Sequence, residues 1–436
     1  MSISRRDFLK GLASVGSVQA LGIDLASAQP YGQMEVVWGG TGFNVQFDEI
    51  KVKLPAVDAA LEQENQRGWS AWNDGVLNSL KSNFNGEVLY GDSQKIDSQS
   101  DPGLIFSLGF DYENYIQILV PEAHLDQDAI NAGLADNDIS YYYLFSSIRI
   151  YSVELPRGSG GQVTLVYSKP VKAAGEDLVK KNNDLDKSRF ILHTLMGDRP
   201  ETTLDKFSGL ASQMAISENY FDEPAHIQVR SVTYEPRAAQ SFADLKLDSV
   251  FNVNLFASVT GVAVNEAFNS SVIPYVITDY LNRTLAIRFS EELEMGRIFD
   301  SMKEAELARY FIDLNVSKVL RKISAENASK QQIARGLAVD ISIFDVDNQA
   351  VVFDKKLVRV EKREQVKGAT EESWYRANDS IAFYELLETM LASFFSGVST
   401  LDRKLLNDAG IRDKDASNDE IKILQGHLEK TRYGSA

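Results

Sequence analysis

The chain has 436 residues, no cysteine, a formal net charge of −17 and 44% hydrophobic residues. Without cysteine it forms no disulfide, no thiolate zinc site and no iron–sulfur cluster held by thiolates. The acidic charge disfavours binding to nucleic acid and to anionic lipid headgroups, and the length predicts two or three domains.

The N-terminus has the parts of an export signal in their usual order. The export motif consists of Arg5, Arg6, Phe8, Leu9 and Lys10. A short, mildly apolar run follows and ends in the small-x-small pattern that signal peptidase accepts, formed by Ala26 and Ala28. The segment resembles the bacterial twin-arginine signal, which implies export in the folded state. We expect cleavage after Ala28 and a mature protein in the periplasm or secreted beyond it.

The mature chain is not expected to carry a stable membrane anchor. The apolar run of the signal is shorter than the roughly 20 residues that a membrane span needs. No cysteine is present to accept a lipid. Composition along the chain then predicts five segments: a signal peptide at 1–28, an N-terminal α+β domain at 29–200, a linker at 201–244, a C-terminal α+β domain at 245–400 and a helical tail at 401–436.

In the first half, alternating apolar residues predict strands and helical periodicity predicts helices. The predicted strands are 34–48, 87–96, 103–119, 140–153 and 162–171, and the predicted helices are 59–84 and 187–196. Scattered proline and acidic residues then mark the linker, which holds one strand-like piece, His226–Thr233.

The second half repeats this element order. It is predicted to hold a strand at 248–264, a helix at 271–295, a strand through 310–316, a hairpin of 337–343 and 350–360, and a helix at 380–395, followed by a last helix capped at Ser417. The prediction is an α+β fold of two tandem α/β-sandwich domains, each with the order strand-helix-strand-strand-strand-helix and with mainly antiparallel sheets packed by helices. A repeat of the two halves is a hypothesis based on this order.

No motif for catalysis or for a cofactor stands out. The histidines do not cluster within a helical turn, and Asp345-Val346-Asp347-Asn348 lacks the glycine and the glutamate of a calcium loop, so we interpret it as a hairpin turn. Gly39, Gly40 and Gly42 do not form a phosphate-binding pattern. The tyrosines at 141–143 and the tryptophans at 69 and 72 could line a binding face, but their spacing favours core positions. We assign no catalytic, cofactor-binding or metal-binding residue and expect no cofactor.

The second half is similar in layout to small envelope domains of Gram-negative bacteria. The similar stretches are AELARYFIDLNVSKVL, GLAVDISIFDVDNQAVVFDKKLVRV and NDSIAFYELLETMLASFFSGV. The group includes the CsgG-like, TolB-N-terminal-like and ABC-transport auxiliary lipoprotein domains. The hairpin turn departs from theirs, with Gln349 and Ala350 in place of glycine, and the lipid-attachment cysteine is absent. The resemblance covers residues 248–398, implies a domain that binds envelope proteins without catalysis, and transfers no functional residue.

These observations predict a soluble periplasmic accessory protein of a cell-envelope system that acts by protein binding or assembly. Its partner is expected to be an envelope or secreted protein, docked on exposed edge strands. Two alternatives stay open: a twin-arginine-exported enzyme with a carboxylate or assembled metal site in the inter-domain cleft, and a periplasmic binding protein for a small ligand or polysaccharide. The sequence does not determine the oligomeric state.

Overall fold

A computed structural model of the chain describes residues 35–43, 51, 54–63, 67–84, 87–90, 103–118, 127–131, 135–154, 162–197, 201–213, 226–274, 308–326, 330–366, 372–412 and 414–432. The predicted export and cleavage residues, at positions 5, 6, 8, 9, 10, 26 and 28, lie outside this range.

The first unit, residues 35–213, holds one five-stranded sheet. Its strands are β1 (Glu35–Phe43), β2 (Glu87–Tyr90), β3 (Gly103–Ile118), β4 (Asn137–Glu154) and β5 (Gln162–Lys180). Its helices are α1 (Pro55–Gln63), α2 (Arg67–Asn83), α3 (Gln127–Asn131), α4 (Asp184–Met196) and α5 (Thr203–Gln213). The strand order is β2-β1-β3-β4-β5, with β1 parallel to both neighbours and β3, β4 and β5 forming an antiparallel meander.

The second unit, residues 226–432, repeats this arrangement. Its strands are β6 (His226–Tyr234), β7 (Ser271–Ile273), β8 (Ala308–Glu326), β9 (Lys330–Asp345) and β10 (Ala350–Val366). Its helices are α6 (Pro236–Asp244), α7 (Val253–Phe268), α8 (Glu372–Thr400), α9 (Arg403–Asp408) and α10 (Asn418–Glu429). The order β7-β6-β8-β9-β10, with β6 parallel to both neighbours, matches that of the first sheet strand for strand. The α+β class predicted from the sequence is confirmed, with two mixed sheets.

Three β-bulges of the first sheet recur in the second, which has two further ones, at Arg309 and Ser324. The cross-strand row Trp38, Phe106, Ile150 and Tyr167 in the first sheet is matched by Val229, Ile312, Ile343 and Phe353 in the second. Three bulges lie at the same distance along the strand from this row in both sheets, in β1, β3 and β5 of the first and in β6, β8 and β10 of the second. The extra residues are Gly39, Asp111 and Val166 in the first unit and Arg230, Ser317 and Val352 in the second. Bulges bend a strand at a defined residue, so the two halves are repeats in geometry as well as in element order.

Helices and sheets alternate in layers. The first unit's helices cover one face of the first sheet, in a core that includes Trp38, Trp72, Phe106, Phe190 and Phe207. The second unit's α7 and α8 lie on one face of the second sheet, and the same core continues into Tyr112 and Phe145 of the first sheet. The helices α7 and α8 are therefore enclosed between the two sheets.

This burial explains an incorrect prediction. Residues 248–264 were expected to be a strand, but they contain most of α7, in which every residue from Leu255 to Asn265 is buried. A helix that is buried on all sides has no polar stripe, so its apolar and β-branched residues read as a buried strand. The caps carried the helical signal: the Asn252 side chain accepts hydrogen bonds from the N–H groups of Asn254 and Leu255, and Asn269 ends the helix at φ 50°.

Two neighbouring predictions change as well. The helix expected over 271–295 begins instead as β7, and the remainder after Pro274 lies outside the described residues. The segment predicted as a linker, 201–244, contains α5, α6 and β6, and β6 lies inside the second sheet with β7 on one side and β8 on the other. The strand-like piece at His226 is therefore the parallel strand that corresponds to β1.

Within the described part of the chain, one helical segment, Asp379–Thr400 of α8, is long and apolar enough to cross a membrane. Most of it is buried inside the fold. Its place between the two sheets accounts for its apolar composition.

Candidate interaction surface

The layered fold gives each sheet a back face, defined as the face turned away from the helices of its own unit. The back face of the first sheet is covered by α8. The ring of Tyr143 lies 4.4 Å from that of Tyr384, and the ring of Phe145 lies 6.4 Å from it. Further along the same helix, Ile381 packs in a small cluster with Ile116 and Tyr141. Such aromatic contacts bury large areas and hold the two units together.

An ion pair closes this interface. The ammonium group of Lys172 on β5 contacts the carboxylate of Glu388 on α8 and lies 5.6 Å from the centre of the Tyr384 ring. The Tyr384 hydroxyl donates to the same carboxylate over 3.3 Å. Burial lowers the pKa of the nearby Lys169 and Lys206. The lysines and Glu388 lie at the junction of the two units, where the predicted alternative of an exported enzyme places its site. At this junction Lys172 and Glu388 form an ion pair with each other.

A buried histidine forms a second link between the units. The side chain of His226 is completely buried, with Nδ1 2.7 Å from Ser271 Oγ and Nε2 3.0 Å from the carbonyl oxygen of Leu165. A carbonyl only accepts, so Nε2 carries the proton and Nδ1 accepts from the serine hydroxyl. The backbone N–H of Ser168 donates to Ser271 Oγ over 2.8 Å. Burial lowers the pKa of His226 to about 4.

Helix α8 is also fixed to its own sheet by buried charges. The carboxylate of Asp379, which is 3% exposed, accepts from Arg321 Nε over 2.7 Å and from Arg335 Nε over 2.6 Å. One turn and a half further on, Glu385 contacts Arg363 at 2.6 Å. Because both sides of α8 are held in this way, the helix is a fixed part of the core.

The back face of the second sheet is uncovered in the described structure. Strand pairing shows which residues of the second sheet correspond to the two cross-strand rows that α8 covers in the first sheet. Lys318, Ala338 and Val358 correspond to the row Tyr112, Phe145 and Lys172. Leu320, Gly336 and Val360 correspond to the row Asn114, Tyr143 and Ala174. Val358 is 47% exposed and Val360 is 51% exposed.

This face has a defined shape. Its central strand, β9, carries only small residues here, at 334, 336 and 338. A Cβ atom placed on Gly336 would lie 3.0 Å from Val360 Cγ2 and 3.6 Å from Leu320 Cβ. The Val360 side chain therefore lies over Gly336, and the small residues of β9 are buried beneath their neighbours. Exposed lysines lie on the same face as the two valines, at positions 318, 322 and 362.

The open edges of the sheets, predicted as docking sites, are partly occupied by the chain itself. The edge strand β5 receives Ser271 of the second unit at Ser168. The edge strand β10 is covered at Val358 by the turn at Gly410, where a Cβ atom would come within 2.0 Å of the Val358 carbonyl oxygen. The Arg359 guanidinium also donates to the carbonyl oxygen of Asp408 over 2.6 Å. The docking surface that the structure offers is therefore a sheet face rather than these edges.

The aromatic candidates from the sequence lie in the core. Tyr142 is buried against the first unit's helices and donates to Glu113 over 2.8 Å, whereas Tyr141 and Tyr143 face α8. The indole of Trp72 donates to Thr41 over 2.9 Å. The side chain of Trp69 is outside the description. The interpretation as core positions is confirmed for Tyr141, Tyr142 and Trp72, whereas Tyr143 is half-buried against α8.

The Asp-rich segment at 345–348 and His427, weighed above as possible metal ligands, make contacts within the fold. Residues 346–349 form the turn of the β9–β10 hairpin, in which Asp345 accepts from the Asn348 backbone over 3.0 Å. His427 places Nδ1 3.3 Å from Asp345 and 3.2 Å from the Tyr310 hydroxyl. In the described part of the chain, no three histidine, aspartate or glutamate side chains lie close enough together to hold a metal ion.

Sequence reasoning missed the uncovered sheet face. The alternation along β8, β9 and β10 gives no sign of which face lacks a cover, because small residues and valines suit a buried face equally well. The available signal was the difference between the repeats: where the first unit has Tyr143 and Phe145, the second has Gly336 and Ala338.

Comparisons with known proteins show distant similarity only. No family model and no curated protein matches the sequence. Similar solved structures include a DUF330-family protein of Xanthomonas campestris, with 8% identity over 42% of this chain and 86% of that chain and a TM-score of 0.20. A hypothetical protein of Chlamydia trachomatis has 10% identity over 41% of this chain and 99% of that one, with a TM-score of 0.22. The PelC dodecamer of Paraburkholderia phytofirmans has 14% identity over 39% of this chain and 89% of that one, with a TM-score of 0.17. Similarities of this strength assign neither a family nor a function.

Proposed function

We propose that this chain is an exported accessory protein of a bacterial cell envelope, which acts by binding or assembling with protein partners. The observation that carries the proposal is the uncovered back face of the second sheet, with Val358 and Val360 about half exposed beside Gly336. The same face of the first sheet is buried under a helix layer. Large exposed apolar patches with a polar rim mark sites of interaction, and these two valines are the apolar part of a face that also carries exposed lysines.

A photoreactive cross-linker tests the binding surface directly. A photoreactive amino acid at position 358 would capture protein bound to the back face, and the captured species would be identified by mass spectrometry. The control is the same amino acid at Ile423 on α10, which is 58% exposed and lies away from this face. We expect cross-linked protein from position 358 and little from position 423. Equal capture from both positions, or none from position 358, would contradict the proposal.

The export part of the proposal rests on the N-terminal sequence. Replacing Arg5 and Arg6 by lysine keeps the charge but removes the arginine pair that defines the twin-arginine signal. We expect the precursor of this double variant to accumulate in the cytoplasm, as measured by fractionation and immunoblotting. Continued delivery to the periplasm would show that the general unfolded-chain route is used.

A further inference from the structure

The contact between the two units suggests what covers the free sheet face. Within the chain, the back face of the first sheet lies on the helix layer of the second unit, through the contacts of Tyr143 and Lys172 with α8. Both units have the same strand order and strand directions, and three of their bulges fall at matching positions. Each unit therefore has a helix layer and a back face in the same relative orientation, and among the described residues one such pair is joined.

We propose that the back face of the second sheet binds the helix layer of the first unit of another copy of this chain. This inference rests on the proposed function and names the partner for the same surface. The interface would join two different patches, as the contact within the chain does, and such head-to-tail contacts produce a ring when the rotation closes and a filament when it does not.

The helix layer of the first unit has a suitable outer surface. By its place in the element order, α4 corresponds to α8. Along its outward side, α4 exposes Leu185, Arg189 and His193, spaced by four residues. In α8, Ile381, Tyr384 and Glu388 meet the first sheet. Leu185 is 44% exposed and is the large apolar side chain on this outward side.

The fit of the two patches differs in chemistry from the contact within the chain. In the first sheet, large tyrosines on the sheet meet a helix. In the second sheet, the exposed apolar groups are Val358 and Val360 on β10, and Leu185 is the apolar group that α4 presents. The first turn of α4 carries Asp184 and Asp186, which suit the exposed lysines on the same face as these valines. Opposite charges around an apolar centre give such a contact its register and its specificity.

Two variants test the pairing. Val358→Asp puts a charge in the back face, and Leu185→Asp puts one on α4; both side chains are about half exposed, so the fold tolerates them. Each variant is expected to raise the dissociation constant for self-association by about tenfold or more, as for the loss of a central apolar contact. Ile423→Asp, at an exposed position elsewhere, should leave self-association unchanged. Sedimentation velocity over a range of protein concentrations measures all three.

Mixing distinguishes a head-to-tail contact from a symmetric one. The Val358→Asp protein keeps an intact α4, and the Leu185→Asp protein keeps an intact back face. An equimolar mixture should therefore form a one-to-one complex that grows no further, at concentrations where each protein alone is mostly monomeric. A wild-type protein that stays monomeric, or a mixture that stays monomeric, would overturn the inference. The proposed function would still stand in that case if the cross-linker at position 358 captured a different protein.

Discussion

Acidification should weaken the junction between the two units through His226. The ring is completely buried and neutral, with both nitrogens engaged by Ser271 and by the carbonyl oxygen of Leu165. A second proton on this ring would place a charge among buried groups, which is why burial lowers its pKa to about 4. In the unfolded chain the imidazole has an ordinary pKa, so the unfolded state binds the proton first.

The sign and size of the effect follow from this difference. Between the unfolded pKa and the folded pKa, the unfolded state holds more protons, so stability falls as the pH is lowered through that window. The free energy of unfolding should drop by about 2 kcal/mol from pH 7 to pH 5 and by about 3 kcal/mol from pH 7 to pH 4 through this residue alone. Urea unfolding followed by tryptophan fluorescence at each pH measures it.

Variants separate His226 from the other groups that titrate. In His226→Gln the side chain stays neutral at every pH, so the pH-dependent difference between wild type and variant isolates the histidine. His193→Gln, at an exposed histidine on α4, is the matched control for the loss of a histidine. If wild type and His226→Gln lose stability in parallel between pH 7 and pH 4, the assignment of a buried neutral histidine is refuted.

Three further substitutions and one control substitution test the packing by urea unfolding at neutral pH. Asp379→Asn leaves two buried arginines without their carboxylate and should lower the free energy of unfolding by about 3–5 kcal/mol. The control Asp313→Asn, at the partly exposed ion pair with Arg230, should lower it by less than about 1 kcal/mol. Equal losses for the two variants would contradict this difference in burial. The Glu113 carboxylate accepts hydrogen bonds from the backbone N–H groups of Ala56, over 2.5 Å, and Val57, over 2.8 Å, at the start of α1. Glu113→Gln should therefore lower the free energy of unfolding by about 2 kcal/mol. An unchanged urea midpoint would exclude a role of Glu113 in holding the start of this helix. Gly410→Ala places a side chain on a residue with φ +92° and brings its Cβ against the backbone of Val358, so it should destabilise the fold. A loss below about 1 kcal/mol would show that the turn at Gly410 does not pack against Val358 in this way.

The elements with one solvent-facing side were predictable from the sequence. In β8, the buried side chains Tyr310, Ile312, Leu314 and Val316 alternate with less buried neighbours, and the pattern predicted the strand. The hairpin that follows was marked by its Asp-rich turn. The last helix was predicted from its capping box, which forms between Ser417 and Glu420. In each case local chemistry and the final environment agree.

The failures occurred where the environment comes from the other unit. The helix α7 lies between two sheets, so the residues around Leu255 and Val264 show no amphipathic pattern. The strand β6 is short and sits among proline and acidic residues, which made it look like part of a linker. The element order predicted the repeat but placed its second copy to begin at residue 248 and not at β6. The bulge positions show which strands of the two units correspond. They depend on hydrogen-bond register, which no local sequence pattern specifies.

The candidate surface was beyond sequence reasoning for a related reason. Whether a sheet face is covered depends on how whole layers stack. The first sheet's Tyr143 packs on Tyr384 of α8, whereas Val360, which pairs with the corresponding Gly336 in the second sheet, is half exposed. The periodicity of both strands is the same. Only the arrangement of the layers shows that one back face is covered and that the described residues leave the other uncovered.

A cross-link between introduced cysteines tests the central claim most directly, because the chain contains no cysteine of its own. Val358→Cys and Leu185→Cys proteins are mixed and oxidised, and the products are separated on a non-reducing gel. The account predicts disulfide-linked heterodimers from the mixture, few dimers from either protein alone, and a ladder of higher species from the double variant. Dimers of Val358→Cys with itself at the level of the mixture, or no cross-link in the mixture, would contradict it.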